Sequence, residues 1–394
     1  MYFILSRRSG NFVNVLTPFL FLSVPAYFIF EFVYLLVFNY TGSRFAYSYV
    51  YATYTAGVVT KTIGYLAAPT RPVPLLIKMP KIRINGIAYI LLGLAFALYL
   101  PVLIEYSYLL TSPREIYSLT RTGYGLESFL STLCIYIGFI LLLFSQNRRR
   151  FSLLVYFLLS AILLYMHGSK GQTFYLLLIW LYFAAFVKQH RFGFRRLIVL
   201  GTMSSTVLFG LFYVTSSDVQ KIDILISIAG YSSEYTRNAM RVIDDHDLEP
   251  QLGKLAFENS YYSLLPRLLF PDKRKDFGSL WLASRYFPGR FQEERGAPAF
   301  GLGFLYADFG IFAILYYCVG EFISGALLGV LALQLKRRPD AGSFFLFAAF
   351  MDVPLIPTGA GVPLIIYYGL AHVMKIFSER SVTPPEQLEH RNAD

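Results

Sequence analysis

Long apolar runs alternate with short basic linkers along most of this chain, and one polar stretch, Ser216 to Pro298, interrupts them. A helix that crosses a bilayer needs about 20 mostly apolar residues. Runs of that kind fall at 15–38, 45–68, 84–110, 126–145, 151–167, 172–188, 197–215, 304–335, 341–357 and 361–377, the second and ninth being the weakest. The pattern predicts an all-α polytopic membrane protein with about ten transmembrane helices and one large extracytoplasmic, mainly helical loop. The apolar stretch near 300–335 is long for a single span. Its first part, Gly301 to Phe309, is therefore expected as a re-entrant or surface helix leading into the membrane.

Composition agrees with a membrane protein and excludes an ordinary soluble enzyme: of 394 residues, 56% are hydrophobic, 18% aromatic and 15% charged, with a mean hydropathy of +0.51. Short cytoplasmic loops are enriched in Lys and Arg, and here the basic residues fall in alternate linkers. Arg7 and Arg8 precede the first run, Arg71 to Arg83 follow the second, and Arg148 to Arg150 follow the fourth. Lys188 to Arg196 follow the sixth and Lys336 to Arg338 the eighth, which predicts both termini in the cytoplasm and the polar stretch outside. The net charge of +11 is largely explained by these anchors, so no nucleic-acid partner is expected. The chain divides into an N-terminal bundle (1–215), the outer loop (216–298), C-terminal membrane helices (299–378) and a charged, Pro-containing cytoplasmic tail (379–394). The first apolar run is too long for the core of a cleaved signal and is expected to stay as an anchor. Cys134 and Cys318 both sit in apolar runs, so neither a disulfide nor a metal site is expected.

Chemistry concentrates in the outer loop. Ile222, Leu225, Ile226 and Ala229 recur on one helical face, so 219–230 is expected along the bilayer surface, with helix resuming to about Asp247 before Pro250. Arg237 and Arg241 are four residues apart and share a face, where two planar guanidinium forks could clamp a diphosphate. The alternative is a pair of solvated ion pairs with Glu234 and Asp245. A second cluster joins Glu258, Asn259, Tyr261 and Tyr262 to Pro266, Arg267 and the run Phe270 to Lys275; the alternative there is a chain route over headgroups. Glu258 is a candidate general base or a solvated carboxylate. His246, among Asp244, Asp245 and Asp247, is the loop's one histidine and a second candidate for proton transfer. Between the fifth and sixth runs, His167-Gly168-Ser169-Lys170-Gly171 makes a turn whose N–H groups and Lys170 could meet an anion, or a plain helical hairpin with a snorkelling lysine.

Three segments carry a resemblance: the Gly-Ser-Lys-Gly turn, Pro-Arg-Leu-Leu-Phe-Pro-Asp-Lys at 266–273, and Gly-Leu-Gly-Phe-Leu-Tyr-Ala-Asp-Phe-Gly at 301–310. With the layout of many spans and a large outer loop before the last three, they resemble the Wzy-type oligosaccharide repeat unit (O-antigen) polymerases. Lys170 stands where an Arg is more usual, and the final hairpin carries Asp352 with Pro354, Pro357 and Pro363 in place of a basic motif. The resemblance implies a bacterial inner-membrane enzyme that moves a growing glycan from one undecaprenyl diphosphate to a repeat unit on another. A flippase and a chain-length regulator are the implied partners, and neither a metal nor a cofactor is implied. Lys170, Arg237, Arg241, Arg267 and Lys273 would then face the leaving diphosphate, Glu258 or His246 would take the acceptor proton, and Tyr261, Tyr262 and Trp281 would stack on sugars. A glycan ligase would share the donor and the fold. A transporter is the alternative from another class, because Glu31, Lys61, Glu105, Glu321 and Asp352 fall in or near apolar runs.

Overall fold

The computed structural model describes residues 1–9, 11–20, 24, 28–29, 31–32, 42–68, 85–110, 116, 124–145, 150–168, 170–215, 224–265, 270, 272–294, 298–351 and 366–369. Every regular element among the described residues is helical. In chain order they are α1 (Tyr2–Ser9), α2 (Arg44–Ala67), α3 (Asn85–Glu105), α4 (Gly125–Phe144), α5 (Arg150–Met166), α6 (Lys170–Tyr182, running on to Val187) and α7 (Phe194–Thr215). The polar stretch supplies α8 (Ile224–Ile243), α9 (Lys254–Leu264), α10 (Ser279–Tyr286) and α11 (Pro288–Glu294). After it come α12 (Leu302–Phe309), α13 (Ala313–Arg337) and α14 (Ala341–Phe350). Gly86–Glu105, Gly125–Phe144 and Leu302–Arg337 are long and apolar enough to cross a membrane, and Arg150–Met166, Gln172–Val187 and Ala341–Phe350 are shorter apolar helices. The expected runs at 15–38 and 361–377 lie largely outside the described residues.

One detail differs from the sequence pattern and one follows it. The helix expected in two pieces is continuous from Ile224 to Ile243 and ends there, before the Asp244-Asp245 pair; the amide of Asp244 still reaches the Met240 carbonyl at 2.8 Å. The long apolar stretch is broken as its length suggested. Gly310 takes a φ of +57°, a 3-10 turn spans Gly310–Phe312, and α13 starts afresh at Ala313.

A small-residue seam joins α2 to α13. A Cβ on Gly64 would lie 2.1 Å from the Phe322 carbonyl oxygen, and one on Gly325 would lie 2.0 Å from that of Lys61, so the backbones touch where side chains are absent. Gly57 meets Tyr317 and Gly329 meets Tyr65 and Ala68. Residue numbers rise together along the seam, so the two helices run in the same direction.

Packing separates into a bundle and a loop platform. The bundle core is built from α3, α4, α5, α6 and α14, with Tyr99, Tyr136, Tyr156, Phe139, Phe344 and Phe347 almost fully enclosed. A smaller core joins α2 to α8 and α12 through Tyr49, Val50, Met240, Ile243 and Leu302. A third lies inside the loop, where Val242, Leu255, Leu282 and Phe300 meet Ala307 of α12.

Candidate functional site

The loop is seated on the start of the C-terminal helices by backbone-level contacts. A Cβ on Gly303 would come within 2.6 Å of the Ala239 Cα, so α8 crosses α12 at the closest approach that glycine permits. Asn238 donates its amide to the Ala299 carbonyl at 2.8 Å. At the far end of α8, the Asp244 carboxylate accepts from the Ser43 N–H at 3.0 Å and from the Ser43 hydroxyl, which ties the loop to the cap of α2.

Asp308 is the most heavily used side chain in this platform. It is fully buried in α12, and its carboxylate accepts three backbone N–H groups at the beginning of α9: Gly253 at 2.9 Å, Leu255 at 3.1 Å and Ala256 at 2.8 Å. The first N–H groups of a helix lack partners within it and carry partial positive charge, so a carboxylate there satisfies both needs. Backbone bonds from Gln251 and Leu252 to the carbonyls of Ala307 and Asp308 complete the join.

The cations of α8 part company above this base. Arg237 is half-buried and turns back along its own helix, its Nε donating to the Ser233 hydroxyl at 3.0 Å and its Nη2 to the Gly230 carbonyl at 2.5 Å. Arg241 is exposed and lies over two rings, 4.9 Å from the Phe287 centroid and 5.9 Å from that of Tyr286. Asp245 pairs with α10: Arg285 reaches it at 2.9 Å and the Tyr286 hydroxyl donates to it at 2.7 Å. That hydroxyl, and then Arg285, hold the Asp245 carboxyl below the usual carboxylate range, while burial followed by the Asp245 charge raises the Tyr286 phenol. Two guanidiniums thus converge on Tyr286, with Arg285 5.8 Å from its ring.

The second cluster sits on α9. Glu258 is nearly buried and is met by Arg274 at 3.2 Å, which also reaches Asp276. Tyr261 is half exposed and lies parallel to Phe257, and Tyr262 packs between Tyr261 and Phe277. Lys273 donates to the Leu265 carbonyl at 3.0 Å and lies over Phe277. Trp281 packs against the loop's own core, and His246 is exposed just beyond α8. Lys170 begins α6, after His167, which is enclosed by Tyr99 and hydrogen-bonded to Ser131 and Thr132. Arg267 lies outside the described residues.

No family model matches the chain, and no solved structure matches it. Two proteins named O-antigen polymerase, from Salmonella typhimurium (strain LT2) and Salmonella typhi, are each 33% identical to it over 365 residues, covering 92% of this chain and 88% of the relative. The chain belongs to the O-antigen polymerase family. It is accordingly a multi-pass membrane protein.

Asp308 and Arg285 stand outside the candidate roles drawn from the sequence, whereas Arg274 falls in the run joined there to Glu258. Asp308 lies inside the 301–310 segment that carried the resemblance, and a carboxylate in an apolar run must find donors; that was its available signal. Arg285 had none, because its partner Asp245 is chosen by how α10 docks on the end of α8.

Proposed function

We propose that this chain polymerises lipid-linked oligosaccharide repeat units into O-antigen-type surface polysaccharide on the outer face of the bacterial inner membrane. The observation that carries the reading is its identity with O-antigen polymerases across 92% of its length. The donor is a glycan on undecaprenyl diphosphate. The acceptor is the non-reducing end of a repeat unit on a second such lipid, delivered by a flippase and counted by a chain-length regulator. The acceptor oxygen bonds to the donor's anomeric carbon as the bond to the diphosphate breaks, and the charge that develops on the leaving group is met by Lys170, Arg237, Arg241 and Arg267 ahead of Lys273. Arg241 fits this role, since ring stacking holds its plane while leaving its N–H groups in solvent. Exposed Tyr261 offers an aromatic face to a sugar ring, Tyr262 backs it, and Trp281 holds α10 in register.

A strain lacking the protein tests the reading. Single lipid-linked repeats without polymer, carried on the outer leaflet, are the expected products. Accumulation on the cytoplasmic leaflet would assign the loss to flipping. Cysteine labelling should find residue 260 outside and residues 80, 150 and 338 inside; residue 260 inside would overturn the reading.

A further inference from the structure

Glu31 is fully buried, and neither of its carboxylate oxygens has a hydrogen-bond partner among the described residues. Such a group is costly unless something donates to it. Among the described residues, Arg237 of α8 and Tyr51 of α2 lie within electrostatic range of it. Tyr51 is braced by Tyr47 one turn away, their rings 4.5 Å apart, and by Phe28 at 5.0 Å. Thr236, adjacent to Arg237 on α8, is also buried with its hydroxyl unpartnered among the described residues. The fold therefore holds a buried carboxylate with both oxygens open, under the electrostatic pull of the Arg237 guanidinium. A hydroxyl-bearing ligand would complete that arrangement.

We propose that Glu31 takes the proton of the acceptor sugar hydroxyl during glycan transfer. The inference rests on the polymerase reading above. As the hydroxyl oxygen bonds to the anomeric carbon, its proton passes to the Glu31 carboxylate, and the electron pair of the breaking anomeric bond leaves with the diphosphate. Arg237 serves both events: its charge is opposite to that of the Glu31 carboxylate, and in the reading above it is one of the cations that meet the leaving group. The loop's own candidates are less suited. Glu258 is committed to Arg274, and His246 stands in solvent beyond the end of α8.

The test uses the full chain in native membranes with purified lipid-linked repeat units, comparing wild type, Glu31→Gln and Glu31→Asp at matched abundance. General-base catalysis contributes about 10²- to 10⁴-fold, so Glu31→Gln should lower the turnover rate by roughly a hundredfold or more with little change in acceptor KM. It should also lose the acidic limb of the pH–rate profile, which Glu31→Asp should retain in displaced form. Glu31→Gln polymerising within threefold of wild type, with its acidic limb intact, overturns the proposal. If Glu31→Gln does not accumulate, Glu31→Asp decides: a displaced limb supports the proposal, and an unmoved limb at the wild-type rate overturns it. Absence of polymer from the wild type would instead sink the polymerase reading itself.

Discussion

The Lys61 ammonium lies 3.2 Å from the Glu321 carboxylate across the seam between α2 and α13, with the lysine side chain 7% exposed. It sits where the backbones are closest, since the Lys61 carbonyl is the atom that a side chain at Gly325 would strike. Removing one partner of such a pair leaves an uncompensated charge among packed helices, at a cost of roughly 3–5 kcal/mol, whereas an apolar replacement of both is often tolerated. Lys61→Met should therefore lower thermal stability in detergent sharply, and Lys61→Met/Glu321→Leu should recover most of it. A double variant as unstable as the single one would show that the pair does more than neutralise itself.

Asp308 offers a local counterpart. Asp308→Ala strips three acceptor contacts from the start of α9, each unmet donor costing about 1–3 kcal/mol. Hydrogen exchange should rise over residues 251–258 while the α2–α13 seam stays protected, and polymer formation should fall. Asp308→Asn keeps an acceptor oxygen and should be the milder change.

The Asp245 cluster predicts an acid response. Because the folded carboxyl titrates below its ordinary value of 3.8, its contribution is fully present above that value and is lost as pH falls through the lower folded value. Trp281 lies in α10 beside Arg285 and Tyr286. In a Trp180→Phe background its emission should hold steady from about pH 5 to 8 and shift only below about pH 4. Asp245→Asn should show the shifted emission at neutral pH.

The cations give the sharpest functional contrast. If Arg241 and Arg267 meet the leaving diphosphate, each Ala variant should lose about a hundredfold or more in polymerisation rate. Lys should rescue poorly, since a point charge cannot reproduce the planar fork. Arg195→Ala, in the first turn of α7, should polymerise normally. Wild-type ladders from both Ala variants would send the search to Lys170 and Lys273.

Hydropathy made the helical membrane class readable, and span length foretold the break at Gly310, because both follow from local counts. Residues 237 and 241 share a helix, but spacing alone could not say that one would curl back to Gly230 while the other lay on Phe287. The alternative ion pair for Arg241 fails because Asp245 turns to Arg285, 40 residues further on. Glu31 and Arg237 come from opposite ends of the chain's first two-thirds. Periodicity sees one element at a time, and these relationships are made between elements.

The grip of α12 on the loop bears on how such proteins could diversify. Glycan specificity would be easy to trade between relatives if the polar stretch alone could be transplanted. Here the carboxylate that starts α9 and the glycine that seats α8 both lie beyond that stretch, at Asp308 and Gly303. A recombination breakpoint between residues 265 and 300 would part a helix from its cap and a ridge from its notch. Inheritance should therefore favour exchanges that carry the loop and the first turns after it as one piece, ending past Phe312.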